Sequence, residues 1–173
     1  MKPPAEWYRE QDLSKHYMRR TDRPFEEGVS RGQLRRIAKC ESAGISFGTA
    51  NVHEAYSIIA DNRMRKGRFY GMRLHSCALL QSTGYGYCFK VHREGYFPDA
   101  AAFCVKASDS AVYVSGWADS EGTEGYSPVC LLARGIYQWC QQNCFTTLDI
   151  GIGGDPGLDA FKERLGFRLG NAQ

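Results

Sequence analysis

Apolar residues recur at helical spacing in several stretches of the chain. One stretch begins at Ser30 and ends before Gly44, and the next begins at Asn51 and ends at Gly67. Ser and Asn side chains cap the free N–H groups of a first helical turn, and glycine adopts the left-handed conformation that ends a helix. Pro128 and Pro156 suit the first turn of later helices. We predict helices over residues 29–43, 51–67, 72–80, 126–144 and 156–166.

The middle of the chain changes to short runs rich in aromatic residues, Val and Cys. Turn-forming residues separate these runs, which cover residues 86–91, 100–106 and 111–117. This spacing predicts an antiparallel meander. Residues 45–47 and 147–150 are typical of two further short strands. The succession of elements predicts an α/β (α+β) fold, in which a mixed, mostly antiparallel sheet is flanked by helices.

The length of 173 residues suits one domain. Residues 1–28 mix polar and aromatic residues and contain Pro3, Pro4 and Pro24, so we interpret them as an N-terminal arm or the remnant of a preceding domain. Residues 29–173 would form the single domain. No apolar run approaches the ~20 residues of a membrane span, and the polar start lacks a secretory signal. These features predict a soluble, cytoplasmic protein.

The net charge of +3 is small, but the basic residues are unevenly distributed. They form two clusters: Arg19, Arg20, Arg23, Arg31, Arg35, Arg36 and Lys39, then Arg63, Arg65, Lys66, Arg68 and Arg73. Two interpretations stay open, a solvated helix face or a basic rim for an anionic ligand such as a nucleotide-activated sugar, tRNA or coenzyme A. The seven cysteines form no Cys-x-x-Cys pair, and Cys140 and Cys144, which share a helical face, have no nearby His or Asp at ligand spacing. We therefore expect buried thiols and no metal site.

Four segments, taken in order, carry a family resemblance. They are Glu26-Glu27-Gly28-Val29-Ser30-Arg31-Gly32-Gln33-Leu34-Arg35-Arg36, Ala60-Asp61-Asn62-Arg63-Met64-Arg65-Lys66-Gly67, Tyr126-Ser127-Pro128 and Pro156-Gly157-Leu158-Asp159-Ala160-Phe161-Lys162-Glu163-Arg164-Leu165-Gly166. Over roughly residues 29–169 the chain resembles the GNAT superfamily of acyltransferases, and within it the FemAB-like branch related to peptidoglycan aminoacyltransferases. The resemblance implies a GNAT-like fold and acyl or aminoacyl transfer.

The resemblance places a ligand cleft where the strands at 111–117 and 147–150 diverge. It places the donor's phosphates at the turn 121–127, where helix N-terminal N–H groups favour anions. In this turn Glu121 and Glu124 replace the usual glycine-rich pattern, and carboxylates repel a pyrophosphate. Acetyl-CoA and aminoacyl-tRNA therefore both stay open as acyl donors.

The same resemblance implies roles for individual residues. Lys162 and Phe161 match a pair associated with holding the donor and stabilising the transition state, although their spacing also fits an exposed lysine and a core phenylalanine. Asp149, at the end of a strand, could accept a proton or bind turn N–H groups. Our candidates for substrate or donor binding are Tyr126, Ser127, Gly125, Trp117, Arg63 and Arg65.

Two functions from different classes follow. The first is an acyltransferase that acts on an amine or hydroxyl of a small molecule or cell-envelope precursor, with tRNA as a possible partner. The second is a non-catalytic GNAT-like module that binds an anionic ligand or a partner protein. Because the sequence ends soon after residues 167–169, where another strand is expected, we also expect a truncated last strand and an open sheet edge that favours a homodimer.

Overall fold

The computed structural model describes residues 4–123 and 126–170, within which the chain forms six α-helices and seven strands. The helices are α1 (Pro4–Arg9), α2 (Arg31–Ser42), α3 (Val52–Arg65), α4 (Leu74–Ser82), α5 (Val129–Gln142) and α6 (Pro156–Arg164). The strands are β1 (His16–Arg20), β2 (Ser46–Thr49), β3 (Gly86–His92), β4 (Ala100–Lys106), β5 (Ala111–Asp119), β6 (Thr147–Ile152) and β7 (Arg168–Leu169). None of the described helices is long and apolar enough to cross a membrane.

All seven strands belong to one sheet, in the order β2-β3-β4-β5-β6-β1-β7. Neighbouring strands run antiparallel except β5 and β6, which are parallel. A parallel pair requires a crossover, and α5 provides it. The mixed, mostly antiparallel sheet predicted from the sequence is thus confirmed.

Helices cover both faces of the sheet. Alternate residues of β4 point to opposite sides: Ala102 and Cys104 pack with α2 and α5, whereas Ala101 and Phe103 pack with α3 and α4. This alternation follows from the two-residue period of a strand. The core is therefore divided into two apolar layers, and the sheet separates α3 and α4 from α2 and α5.

The predicted helix caps are confirmed. The Ser30 side chain accepts a hydrogen bond from the Gln33 N–H, and Asn51 forms a reciprocal capping box with Glu54. Asp155 caps α6, with Pro156 at its first position. One predicted helix was too long, because residues 126–128 precede α5 and Ser127 has a positive φ of 50°.

The N-terminal residues correct a second prediction. Residues 1–28 were expected to form an arm outside the domain, yet β1 lies inside the sheet between β6 and β7. Its Arg19 side chain is buried because the guanidinium donates to the carbonyls of Leu165, Phe25 and Glu27. A charge satisfied in this way can be buried in a strand. The position beside β6 is therefore filled by β1.

Candidate functional site

A cleft opens where β5 and β6 separate. The two strands are paired only from Ala111 opposite Thr147 to Tyr113 opposite Asp149. Immediately afterwards β5 contains a bulge, because Cys104 pairs with Val114 while the preceding Phe103 pairs with Gly116. A bulge bends its strand and increases the local twist. The part of β5 that follows the bulge consequently diverges from β6. The gap that opens beside this part of β5 is available to a ligand.

A cavity of about 530 Å³ lies at this divergence. Its aromatic part is formed by Trp117 of β5 and Phe161 of α6, whose rings meet edge to face with centroids 5.9 Å apart. Leu158 extends the apolar lining along α6. Such a surface suits the uncharged part of a ligand.

Four cationic side chains line the same cavity: Arg36, Arg63, Lys66 and Arg68. They come from α2, the end of α3 and the loop after α3, which explains why the sequence shows them as two separate clusters. Two carboxylates, from Asp119 and Asp155, also line it. Arg68 lies 3.8 Å from the Asp155 carboxylate, both at the cavity. The excess of positive charge favours an anionic ligand.

The N-terminus of α5 is closed by a carboxylate of the chain itself. The Asp119 side chain accepts a hydrogen bond of 2.9 Å from the Val129 N–H, and Pro128 has no N–H to offer. The Ser127 hydroxyl accepts a hydrogen bond of 3.3 Å from Arg36. A phosphate at this helix end would have to displace Asp119, because both compete for the same positive end of the helix.

Three of the predicted ligand-binding residues directly precede Pro128 and α5 in the sequence. Gly125, like Glu124, lies outside the described residues. Tyr126 is partly exposed, and the Lys39 ammonium lies 4.7 Å from the centre of its ring. Ser127 lines the cavity. The exposed Glu121 side chain does not line this cavity.

Lys162 is buried, with 2% of its surface exposed, so its predicted alternative as an exposed helix residue is wrong. Its ammonium donates hydrogen bonds to the carbonyl oxygens of Gly151 at 3.1 Å and Ile152 at 2.8 Å. It also lies 5.0 Å from the centre of the Tyr17 ring. Burial lowers the pKa of this amine. Lys162 therefore holds the end of β6 beside the cleft, while its neighbour Phe161 faces the cavity.

Asp149 lies at the last paired position of β5 and β6 and is fully buried. One carboxylate oxygen accepts hydrogen bonds from the Tyr8 hydroxyl at 2.7 Å and is 2.8 Å from Nδ1 of His16, and the other accepts from the Gly151 N–H at 2.7 Å. Asp149 therefore binds the N–H group of a turn residue, which is one of the two roles predicted for it. Burial and the Asp149 charge raise the pKa of Tyr8.

The structure brings together some of the predicted site residues and separates others. Trp117, Phe161, Ser127 and Arg63 share the cavity. Arg65 does not line it and instead forms an ion pair of 3.0 Å with Asp61. Sequence reasoning missed Asp119, and it did not select Arg36, Lys66 and Arg68 from the basic clusters. Their convergence depends on the packing of α2 and α3, which no local pattern records.

Comparison with solved structures identifies the architecture. The structure of FemX superposes with a TM-score of 0.73 over 91% of this chain, at 13% sequence identity. The chain has a GNAT-like fold. L-PGS from Bacillus licheniformis matches with a TM-score of 0.64 over 90% of the chain at 14% identity, and a tandem GNAT protein from the clavulanic acid biosynthesis pathway with 0.55 over 92% at 13% identity. The fold expected from the sequence resemblance is thereby confirmed.

This chain spans little more than half of each of these proteins. It covers 59% of FemX, 58% of L-PGS and 51% of the tandem GNAT protein. No family model matches the sequence, and no curated protein matches it. At identities this low, the similarity establishes the fold alone, and function has to be argued from the cleft.

Proposed function

We propose that this protein transfers an acyl or aminoacyl group from an activated, phosphate-bearing donor to an amine or hydroxyl. The observation that supports this most directly is the cavity between the end of β5, α6 and the N-terminus of α5, with its aromatic lining and four cationic side chains. Arg36, Arg63, Lys66 and Arg68 would bind the donor's phosphates. Trp117 and Phe161 would pack against the uncharged part that carries the acyl group. Holding donor and acceptor together in this way supplies much of the catalysis in acyl transfer.

An aminoacyl-tRNA donor is favoured over acetyl-CoA. Asp119 occupies the N-terminus of α5, where a coenzyme A pyrophosphate would be expected from the GNAT resemblance. Phosphates would then be bound by Arg and Lys side chains on α2 and α3. These side chains are long and flexible, so they can adapt to a polynucleotide backbone. We extend the proposal to a small-molecule or envelope-precursor acceptor in the cytoplasm.

We assign Lys162 and Asp149 to the support of this reaction. Lys162 would place positive charge beside the end of β6, where negative charge develops on the carbonyl oxygen during transfer. Asp149 would fix the start of the cleft through its hydrogen bond to the Gly151 N–H. Tyr126 would contact the ligand at the mouth of the cavity, and Gly125 stays a predicted contact.

A second candidate is a non-catalytic module that binds an anionic ligand. It is favoured by one observation: the Lys162 amine and the Asp149 carboxylate are both engaged in internal hydrogen bonds. Neither group is presented to the cavity as a ready proton acceptor. A binding module would use the same four cationic side chains to hold an anionic ligand but would not catalyse acyl transfer.

The experiment compares donors and matched charge variants. Binding of aminoacyl-tRNA, uncharged tRNA and acetyl-CoA is measured at low salt, and transfer to a panel of amines is followed by mass spectrometry. We expect Arg63→Glu and Lys66→Glu to weaken aminoacyl-tRNA binding at least about tenfold, because each reverses a charge at a phosphate. Arg35→Glu is the control, since Arg35 is exposed on α2 beside Arg36 but does not line the cavity.

The outcomes separate the candidates. Transfer that is lost in Arg63→Glu and kept in Arg35→Glu supports the acyltransferase. Binding without transfer to any acceptor supports the binding module. If no phosphate-bearing donor binds, or if Arg35→Glu weakens binding as much as Arg63→Glu, both candidates are wrong.

A further inference from the structure

Strand β6 carries an extra residue near its end. Met18 of β1 pairs with Asp149, and His16 of β1 pairs with Ile152. Between these pairs, one residue of β1 lies opposite two residues of β6. One of the two is Gly151, which has a positive φ of 86°. A bulge with glycine in this conformation bends its strand and re-aims the groups beside it. The end of β6 therefore has a shape that a regular strand does not adopt.

This bulge gives Lys162 its two hydrogen-bond acceptors. In a regular pleated strand the carbonyl groups of successive residues point in opposite directions. Gly151 and Ile152 are successive residues, yet their carbonyl oxygens both accept hydrogen bonds from the Lys162 ammonium, at 3.1 Å and 2.8 Å. Because the bulge interrupts the alternation, one ammonium can reach both oxygens. The position of the Lys162 charge therefore depends on the bulge.

The Asp149 carboxylate holds the bulge in place. Its Oδ1 atom accepts a hydrogen bond of 2.7 Å from the N–H of Gly151, two residues further along the chain. The Asp149 side chain is fully buried. A buried carboxylate needs several hydrogen-bond donors to replace the water that it has lost. The donors to its second oxygen therefore decide whether Asp149 can stay where it supports the bulge.

Tyr8 of α1 and His16 of β1 provide these donors. The Tyr8 hydroxyl donates to Oδ2 of Asp149 at 2.7 Å, and Nδ1 of His16 lies 2.8 Å from the same oxygen. Because an ionised carboxylate can only accept, Nδ1 of His16 carries the hydrogen. Nε2 of His16 is buried and has no hydrogen-bond partner among the described residues. His16 therefore acts on its surroundings through Nδ1.

Asp149 also acts on Lys162 through its charge. Burial lowers the pKa of the Lys162 amine, and the negative charges of Asp159 and Asp149 oppose this shift. Gly151 connects the two groups, because its N–H donates to the carboxylate and its carbonyl accepts from the ammonium. A displaced carboxylate would therefore disturb both the position of the Lys162 ammonium and the support for its charge.

We propose that Tyr8 and His16 are positioning residues for acyl transfer, and that they act on Lys162 through Asp149 and Gly151. This inference rests on the proposed function, in which Lys162 places positive charge beside the end of β6. Loss of either donor would let the carboxylate shift, and the ammonium with it. Phosphates of the acyl donor would be bound as before, because the four cationic side chains of the cavity are not part of this network.

The kinetic test compares Tyr8→Phe and His16→Leu, each of which removes one hydrogen bond to Asp149. We expect kcat of aminoacyl transfer to fall about tenfold in each variant, while the Kd of aminoacyl-tRNA changes by less than about twofold. The matched control is Tyr137→Phe. The buried Tyr137 hydroxyl, on α5, donates to two backbone carbonyls outside this network. Its removal should leave kcat unchanged.

The choice of replacement at His16 separates positioning from direct proton transfer. The amide nitrogen of Asn can take the place of Nδ1, whereas that of Gln reaches toward the place of Nε2. Because the structure uses Nδ1, His16→Asn should recover most of the kcat that His16→Leu loses, and His16→Gln should recover little. Direct proton transfer through Nε2 would instead leave His16→Asn inactive.

Amide hydrogen exchange tests the network without any transfer. The exchange rate of the Gly151 amide is measured by NMR and divided by that of the Ile136 amide in α5, which corrects for global destabilisation. We expect this ratio to rise about fivefold or more in Tyr8→Phe and His16→Leu. It should stay unchanged in Tyr137→Phe.

Three outcomes overturn the inference. The first is an unchanged kcat and an unchanged Gly151 exchange ratio in Tyr8→Phe and His16→Leu. The second is an equal loss of kcat in Tyr137→Phe. The third is a His16→Asn variant as slow as His16→Leu. Failure of the proposed function looks different: the wild-type protein would transfer no acyl group while the Gly151 exchange ratio still responded to Tyr8→Phe. That result would reduce the network to a structural one.

Discussion

The Lys162 ammonium donates a hydrogen bond of 2.8 Å to the carbonyl oxygen of Ile152, the last residue of β6. A buried lysine that satisfies strand-end carbonyls has a structural role as well as any role in chemistry. These two roles can be separated by choosing the replacement. Truncation removes both volume and charge, whereas an apolar residue of similar length removes the charge and the hydrogen bonds.

We expect Lys162→Ala to lower the free energy of unfolding by about 2–4 kcal/mol, because it leaves a cavity and two unpaired carbonyls. Lys162→Met should cost about 1–2 kcal/mol, since its side chain fills most of the volume. Urea unfolding measures both. In the transfer assay Lys162→Met should lose activity despite being folded. A fully active Lys162→Met variant would remove this amine from the proposed chemistry.

The edge-to-face contact between Trp117 and Phe161 provides a second prediction. Because both rings line the cavity, Phe161→Ala and Trp117→Ala should each weaken donor binding by several fold. Their effects on stability should be coupled by about 0.5–1.5 kcal/mol in a double-mutant cycle, as for other aromatic pairs. Additive effects in the cycle would show that the rings do not support each other.

Replacing Gly135 in α5 by Ala should lower the stability of the protein, although replacing a helical Gly by Ala usually raises it. In an open helix position, Gly→Ala gains about 1 kcal/mol of stability. At Gly135 an added Cβ would lie 2.0 Å from a ring carbon of Phe47. We expect Gly135→Ala to destabilise the protein by about 1–3 kcal/mol, because the ring must move within a packed core. Thermal unfolding measures the change.

Two further variants test the cause of that change. Gly32→Ala on α2 is the control, because the nearest atom to an added Cβ is 4.0 Å away. It should be neutral or slightly stabilising. Phe47→Leu combined with Gly135→Ala should recover part of the loss by shortening the obstructing side chain. A stabilised Gly135→Ala single variant would contradict the packing argument.

The buried thiols predict loss of stability at alkaline pH. Burial raises the pKa to about 11 or about 12 for four cysteines, namely Cys77, Cys88, Cys130 and Cys140. In the unfolded chain these thiols ionise near pH ~8.5. Between these values the folded state binds more protons than the unfolded state, so stability falls as pH rises. The slope should be about 1.4 kcal/mol per pH unit for each thiol.

Urea unfolding between neutral pH and strong alkali checks this slope. Cys140→Ala should reduce it, because one of the protonated thiols is removed. Cys144→Ser should leave it unchanged, since Cys144 is exposed. Lys162 opposes the trend, because its lowered pKa makes stability rise with pH, but it contributes a single proton. A flat pH profile would be the contrary result.

The regular part of the fold could be predicted because its signals are local. Ser30 and Asn51 cap the helices that they were expected to cap, and the runs at 86–91, 100–106 and 111–117 are strands. The wrong predictions concern charges that are buried by distant partners. Arg19 and Lys162 lie inside the protein only because backbone carbonyls far along the chain or on another element accept their hydrogen bonds. A sequence pattern assigns such residues to the surface.

The site was predictable only in part for a related reason. Trp117 and Phe161 were selected on the family resemblance, and both line the cavity. Asp119 gave no signal, because its role depends on an N–H group of α5 that packing brings within 2.9 Å. Charge patterning indicated the two basic clusters, but it could not choose Arg36 over Arg35. That choice depends on which side of α2 faces the cleft.

The position of β1 between β6 and β7 determines when the cleft can form. His16 of β1 and Asp149 of β6 are 133 residues apart in sequence, yet their side chains are in contact. Closing so long a loop is entropically costly, and contacts of this kind slow folding. The pairing of β1 with β6 should therefore be completed late, after the β3–β4–β5 meander has assembled. The ligand site would then be a property of the finished molecule, absent from every partly folded state that lacks β1.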